Sequence, residues 1–301
     1  QQKSLDDLAR NKSFTEIFYP PGDVLHSYIF DFKTRGLNNA ELKTKFYFIG
    51  VANTNDQKIG ISAQMDLNKM MASLRTITDQ LGIGFLPTII SGFDFTKQNV
   101  ENIIDTFKAS PGDIVMFYYT GHGFRYPNDK SDFPRVSMRL NPLQKIDDNN
   151  LVIEDVYDRL LKKGARFTLV LSDCCNETID APIPFGLALF RSRSIGPAPR
   201  LNVDNWKALF FPPRPSSILI GSAQKNQLAV CNKELGGFYT NYFIAELKKQ
   251  LFTNNPGLPN WWGILNAARE NTRFKSLSAL CGKNPERRCV QSAAMKVFVA
   301  R

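Results

Sequence analysis

A chain of 301 residues suits one large domain with elaborated edges better than two equal ones. Hydrophobic residues at 43% and charged residues at 22% exclude a disordered chain, and no apolar run approaches the roughly 18 residues of a helical membrane span. The net charge of +10 is uneven: residues 1–185 carry 21 basic and 23 acidic side chains, residues 186–301 carry 17 and 5. The excess lies in scattered singles such as Arg191, Arg193, Lys207 and Lys233 rather than in a basic-aromatic stripe, so no nucleic-acid partner is expected. A soluble protein, cytoplasmic or exported, is expected. The start at Gln1-Gln2 leaves trimming or removal of a targeting segment open.

From residue 46 onward short β-rich runs alternate with helical periods, and residues 1–45 read as an N-terminal extension packing on or near a domain at 46–301. A first strand, Phe46 to Val51, feeds an amphipathic helix with Leu67, Met70, Met71, Leu74, Ile77 and Leu81 on one stripe. A second strand at Leu86 to Ile90 is followed by Thr96 as an N-cap and the stripe Val100, Ile103, Ile104 and Phe107. Strands at Ile114 to Tyr119 and Phe167 to Leu171 are continuous apolar runs, as for central strands covered on both faces. Between them lies a helix carrying Val152, Val156, Tyr157, Leu160 and Leu161, closed by Gly164. A fifth strand at Ile218 to Gly221, helices near 238–251 and 261–275 and a last strand at Met295 to Val299 complete an α/β fold, a mostly parallel sheet with helices on both faces. Residues 123–149 and the Pro-rich 176–215 are predicted as long loops.

Five cysteines are too few for a disulfide scaffold. Cys281 and Cys289 could pair across a short turn in an oxidising compartment, and Cys231 reads as a small buried hydrophobe. Cys174 and Cys175 remain, in Leu171-Ser172-Asp173-Cys174-Cys175-Asn176. Like Tyr118-Tyr119-Thr120-Gly121-His122-Gly123, that segment immediately follows a buried strand, and ligands bind at the carboxyl ends of parallel strands. Cys175 stands 53 residues after His122, enough for one helical crossover between neighbouring strands. A thiol needs a base or a nearby positive charge to become a nucleophile, and an imidazole also returns the proton to a leaving amine. The flanking glycines allow close backbone approach, and the Gly123 and Cys175 amides could bind an oxyanion. No second His or spaced Cys pair joins them as metal ligands.

The two motifs resemble the His and Cys motifs of the caspase-like cysteine peptidases of clan CD (peptidase family C14), and within these the metacaspases and their bacterial relatives. There the second motif commonly reads Asp-Ser-Cys, and in caspases the His precedes the Cys by about 50 residues. In that register Cys175 is the nucleophile and Cys174 takes the Ser position. The segments 221–230 and 236–247 resemble the family's strand, loop and helix after the nucleophile. The resemblance implies a caspase-like three-layer sandwich, a Cys-His dyad, and protein or peptide substrates. By similarity to Arg- and Lys-directed metacaspases, Asp66 and Asp173 would line the pocket for the residue before the scissile bond. Two carboxylates there favour a guanidinium or ammonium. Thr120 and Ser222 are further substrate-pocket candidates by position.

Two departures stand out. The acidic run with which many metacaspases bind calcium is missing after the His motif, so no cofactor is expected and calcium dependence is open. The usual His-Ser-Gly after the nucleophile is Asn176-Glu177-Thr178. The alternative to a peptidase is a catalytically silent peptide-binding or scaffolding module; a redox protein using the adjacent Cys174-Cys175 would need a strained ring. Arg191, Arg193 and Arg200 in the 176–215 loop are candidate self-cleavage sites, by analogy with caspase-like zymogens.

Overall fold

The computed structural model describes residues 36–179, 200–252, 259–281 and 288–299. Six strands form the central sheet: β1 (Lys45–Ala52), β2 (Gly84–Ser91), β3 (Ile114–Thr120), β7 (Phe167–Asp173), β8 (Ser216–Gly221) and β11 (Ala294–Val299). Their spatial order is β11-β8-β7-β3-β1-β2. All pairings are parallel except β11 against β8. β3 and β7 are buried along their whole length, as continuous apolar strands in the middle of a covered sheet must be.

The two faces have separate cores, and the pleat sorts the residues between them. Ile114, Met116 and Tyr118 of β3 join one apolar cluster with Leu67, Met70 and Leu74 from helix α1 (Gly60–Leu81). Val115, Phe117 and Tyr119 join the other, with Val100 and Ile104 of α2 (Lys97–Thr106) and Val156, Tyr157 and Leu160 of α3 (Ile153–Leu161). The result is the three-layer α/β sandwich expected from the sequence. Local signals account for the helix ends. Thr96 Oγ1 accepts the Asn99 amide at 3.2 Å, and Gly82 takes the left-handed conformation with φ 70° that stops α1. Val152, expected on the apolar side of α3, instead sits in a strand as its N-cap.

The two predicted loops are more structured than their composition suggests. The first holds β4 (Gly123–Phe124) and β5 (Arg135–Ser137), which form a small antiparallel sheet with β6 (Asn150–Val152) just beyond it. Strands of two or three residues carry no readable periodicity. The second ends in helix α4 (Val203–Phe210), capped by Asn202, whose Oδ1 accepts the Asn205 amide at 3.0 Å. Trp206 on α4 is fully buried and packs on Phe210 and Phe211, with centroids 5.5 and 4.5 Å away. Lys207 Nζ pairs with Glu41 Oε2 at 2.8 Å, and Leu201 donates its amide to Gln80 Oε1 at 2.8 Å. Prolines on either side obscured this helix in the sequence. Two helices, α5 (Phe238–Leu251) and α6 (Trp261–Ser276), complete the first face. Cys281 and Cys289 are disulfide-bonded, with Cα atoms 5.0 Å apart. Of the N-terminal extension, residues 1–35 lie outside the described residues. No described helix is long and apolar enough to cross a membrane.

Because Trp206 fills the first core from a segment that reads as linker, Trp206→Ala should cost about 3–5 kcal/mol of folding free energy. Urea unfolding of the two proteins measures it, and a loss below about 1 kcal/mol would show that α4 does not contribute to the core.

Candidate active site

The β3–β7 register pairs Tyr119 with Ser172 and Thr120 with Asp173. His122 and Cys175 each follow two residues after the last pair, so both emerge at the same level on the carboxyl edge of the sheet. They line one cavity of about 310 Å³, together with the first turn of α1 and the short hairpin β9 (Cys231–Asn232) and β10 (Gly236–Gly237). Thr120, Asp66 and Asp173 line it as well.

The vicinal cysteines diverge. Cys174 is buried in the second core cluster, donating its amide to Ser222 Oγ at 3.1 Å, and burial pushes its thiol well above the ordinary range. Cys175 is partly exposed. Its sulfur accepts the Ala229 amide at 3.4 Å, and burial, reinforced by the charges of Asp173 and Glu177, pushes its thiol up to about 11. Burial thus favours the neutral thiol over the thiolate. Ser222 is fully buried beneath this turn and does not line the cavity. Its hydroxyl sits between the Cys174 amide and carbonyl, where it braces the Cys174-Cys175 turn.

Gly123 answers to the same turn. A Cβ there would run into the Cys174 side chain and the Cys175 carbonyl, so glycine admits the Cys174-Cys175 turn itself. Beyond Cys175, Asn176 is buried and its Nδ2 donates to the Asp132 and Ala223 carbonyls at 2.8 and 3.2 Å. The fully buried Arg125 donates to Asn176 Oδ1 and to the Asp129 and Ser131 carbonyls. These bonds fix the chain just after Cys175.

His122 Nε2 lies 3.0 Å from Asp56 Oδ2, each side chain about a quarter exposed. Burial acts to raise the Asp56 carboxyl, but hydrogen bonds from His122 and the Ile59 and Lys58 amides outweigh it and hold the group well below the usual carboxylate range. Asp56 was not among the residues singled out in the sequence; its one local signal is the Asn-Asp pair just ahead of a helix start.

Asp66 and Asp173 are both buried. The Gly237 amide donates to both Asp66 oxygens at 2.9 and 2.8 Å, and Thr120 Oγ1 donates to Oδ2 at 3.3 Å. Asp173 Oδ2 accepts from the Thr240 amide and hydroxyl at 3.0 and 2.6 Å. Burial, and for Asp66 the neighbouring Asp173, raise both carboxyls above their ordinary values. Lys69 gives Asp66 some Coulombic relief but spends its donors on the Leu235 carbonyl and Asn241. The Gly236-Gly237 pair is pressed so closely onto the two carboxylates that a Cβ at either would collide with them. Cys231, read from sequence as a core residue, is partly exposed on the cavity wall, its thiol pushed up to about 12 chiefly by burial.

Residues 51–259 match the family model of the caspase domain, peptidase C14. The chain belongs to that family. It is 24% identical over 155 residues to metacaspase-5 of Trypanosoma cruzi (strain CL Brener), covering 48% of this chain and 34% of the relative. Metacaspase-5 of Trypanosoma brucei brucei is 25% identical over 169 residues, with coverages of 51% and 33%, and metacaspase-9 of Arabidopsis thaliana 33% identical over 87 residues, with coverages of 27% and 25%. The matches span about a third or less of those curated relatives. Among solved structures, caspase-1 of Spodoptera frugiperda is similar with a TM-score of 0.50 over 88% of this chain and 90% of that one, at 11% identity, a likeness of fold.

In this caspase domain the buried carboxyl pair opposes stability at neutral pH. A folded-state pKa above the unfolded one stabilises the fold at low pH, and that contribution is lost as pH rises through the raised value. Asp66→Asn should therefore raise the melting temperature at about pH 8, with the gain vanishing as pH falls to about 4. A variant less stable at every pH would show that the carboxylate charge is needed for folding.

Proposed function

We propose that the domain is a cysteine endopeptidase cutting after Arg or Lys. The observation that carries this reading is the sharing of one cavity by a partly exposed thiol, an imidazole and two buried carboxylates that form no ion pair with a cation among the described residues. Asp66 and Asp173 would receive the guanidinium or ammonium of the residue before the scissile bond, with Thr120 beside them. A ligand cation there would draw both raised carboxyls back towards their ordinary range.

The Cys175 thiol gives its proton to His122, and the sulfur attacks the substrate carbonyl carbon. The carbonyl π electrons move to oxygen, held by the Gly123 and Cys175 amides. Collapse of this oxyanion breaks the C–N bond, the amine leaves with the proton from His122, and a thioester remains. Water then gives a proton to His122 and attacks the thioester; the C–S bond breaks, and sulfur regains its proton as the acid product departs.

Fluorogenic peptides ending in Arg, Lys or Asp test this. Arg and Lys peptides should be cleaved, Arg above Asp by orders of magnitude, because a substrate carboxylate would meet like charges. Cys175→Ala should abolish turnover while Cys174→Ala keeps much of it. Equal cleavage after Asp would refute the pocket, and a wild type inert towards every peptide would favour a binding module on this fold.

Self-processing is proposed at the basic residues after the nucleophile. Arg191 and Arg193 lie outside the described residues, whereas Arg200 is exposed just before the buried Leu201. Wild type but not Cys175→Ala should be clipped on incubation. The fragments should stay associated, because β7 and β8 flank the cut and pair in one sheet. Terminal sequencing identifies the bond, and equal clipping of the inactive variant would defeat the idea.

A further inference from the structure

We infer that Asp56 is a positioning residue that makes the site a Cys-His-Asp arrangement, holding His122 with its proton on Nε2 and leaving Nδ1 to take the thiol proton. This rests on the reading of Cys175 and His122 given above, and extends it to a residue outside both motifs.

Asp56 is built into a rigid turn. Its Oδ1 accepts the Lys58 and Ile59 amides at 2.8 and 2.9 Å, and its carbonyl accepts the Gly60 amide at 2.9 Å at the start of α1. Only Oδ2 is left to face the ring, which it meets at 3.0 Å. The His122 backbone is fixed independently, its carbonyl receiving the Tyr119 hydroxyl at 2.8 Å and the Ser137 amide at 2.9 Å. What remains free in His122 is the orientation of the imidazole, and the carboxylate sets that. An ionised carboxylate can only accept, so Nε2 must be the protonated nitrogen and Nδ1 the basic one. When Nδ1 takes up the Cys175 proton, the resulting imidazolium already has its counter-charge in place.

Asp56→Asn separates this role from the structural one. The side-chain oxygen of Asn keeps the bonds from the Lys58 and Ile59 amides, which turns its NH₂ towards Nε2. A donor there requires a bare Nε2 and moves the ring proton to Nδ1, which can no longer act as base. We expect kcat on an Arg peptide to fall by about 100-fold or more, with KM within about twofold and the melting temperature unchanged. A second readout needs no turnover. The chain has two histidines, His26 and His122, so ¹⁵N spectra of histidine-labelled protein, assigned with His26→Gln, report the tautomer of His122 directly. The ring should be protonated at Nε2 in the parent and at Nδ1 in Asp56→Asn.

An unchanged tautomer, an unchanged kcat, or a faster Asp56→Asn enzyme would each overturn the inference; the last would mean that the carboxylate holds the imidazole away from the thiol. If the parent cleaves no peptide, or Cys175→Ala cleaves as well as the parent, the peptidase reading fails by itself. The nitrogen spectra still decide whether Asp56 sets the ring.

Discussion

The pairing of β3 with β7 is the constraint on which the site depends. Each strand is buried on both faces, so a slip of one residue would send Tyr118 and Tyr119 to each other's side of the sheet and empty both cores at once. With Thr120 opposite Asp173, the chain leaves both strands at one height and the imidazole and thiol arrive at the same cavity. The parallel direction matters equally. It brings two carboxyl ends together at one edge, where the unpaired backbone is open to a ligand.

Around that edge three carboxylates have three environments. Asp56 is a quarter exposed, ringed by donors, and ionised. Asp173 is buried but held by the Thr240 amide and hydroxyl. Asp66 is buried, bonded mainly through the Gly237 amide, and faces the charge of Asp173. A fold gains nothing in stability from placing two acids together in low dielectric. Gly236 and Gly237 remove the side chains that would push them apart. A bound cation would relieve their mutual repulsion, which connects the electrostatics of the pocket to the chemistry proposed for it.

The nucleophile turn shows how local departures are absorbed. Asn176 is anchored by its amide to the Asp132 and Ala223 carbonyls and receives the buried Arg125 guanidinium. Ser222 supports the same turn from the end of β8. The turn that carries Cys175 is thus held from two distant stretches of chain, 125–132 and 222–223.

The order and type of the core elements were legible in the sequence because each is long enough to show its pattern: a continuous apolar run along β3 and β7, a period of three to four along α1 and α3. The His and Cys motifs were legible because they follow buried strands, and Asp66 and Asp173 because a family resemblance pointed to them. What stayed hidden has short range in the chain or long range in space. The strands β4, β5, β6, β9 and β10 have two or three residues each, too few for a pattern, and α4 is masked by its flanking prolines. The contact of Asp56 with His122 spans 66 residues, and that of Asp66 with Gly237 spans 171; neither leaves a local trace. The sequence by itself determined the layers and the placing of His122 and Cys175 after buried strands, because burial imposes an apolar pattern on the chain. Only the tertiary structure decided what each charged group faces, because hydrogen-bond partners are chosen by proximity in the folded chain.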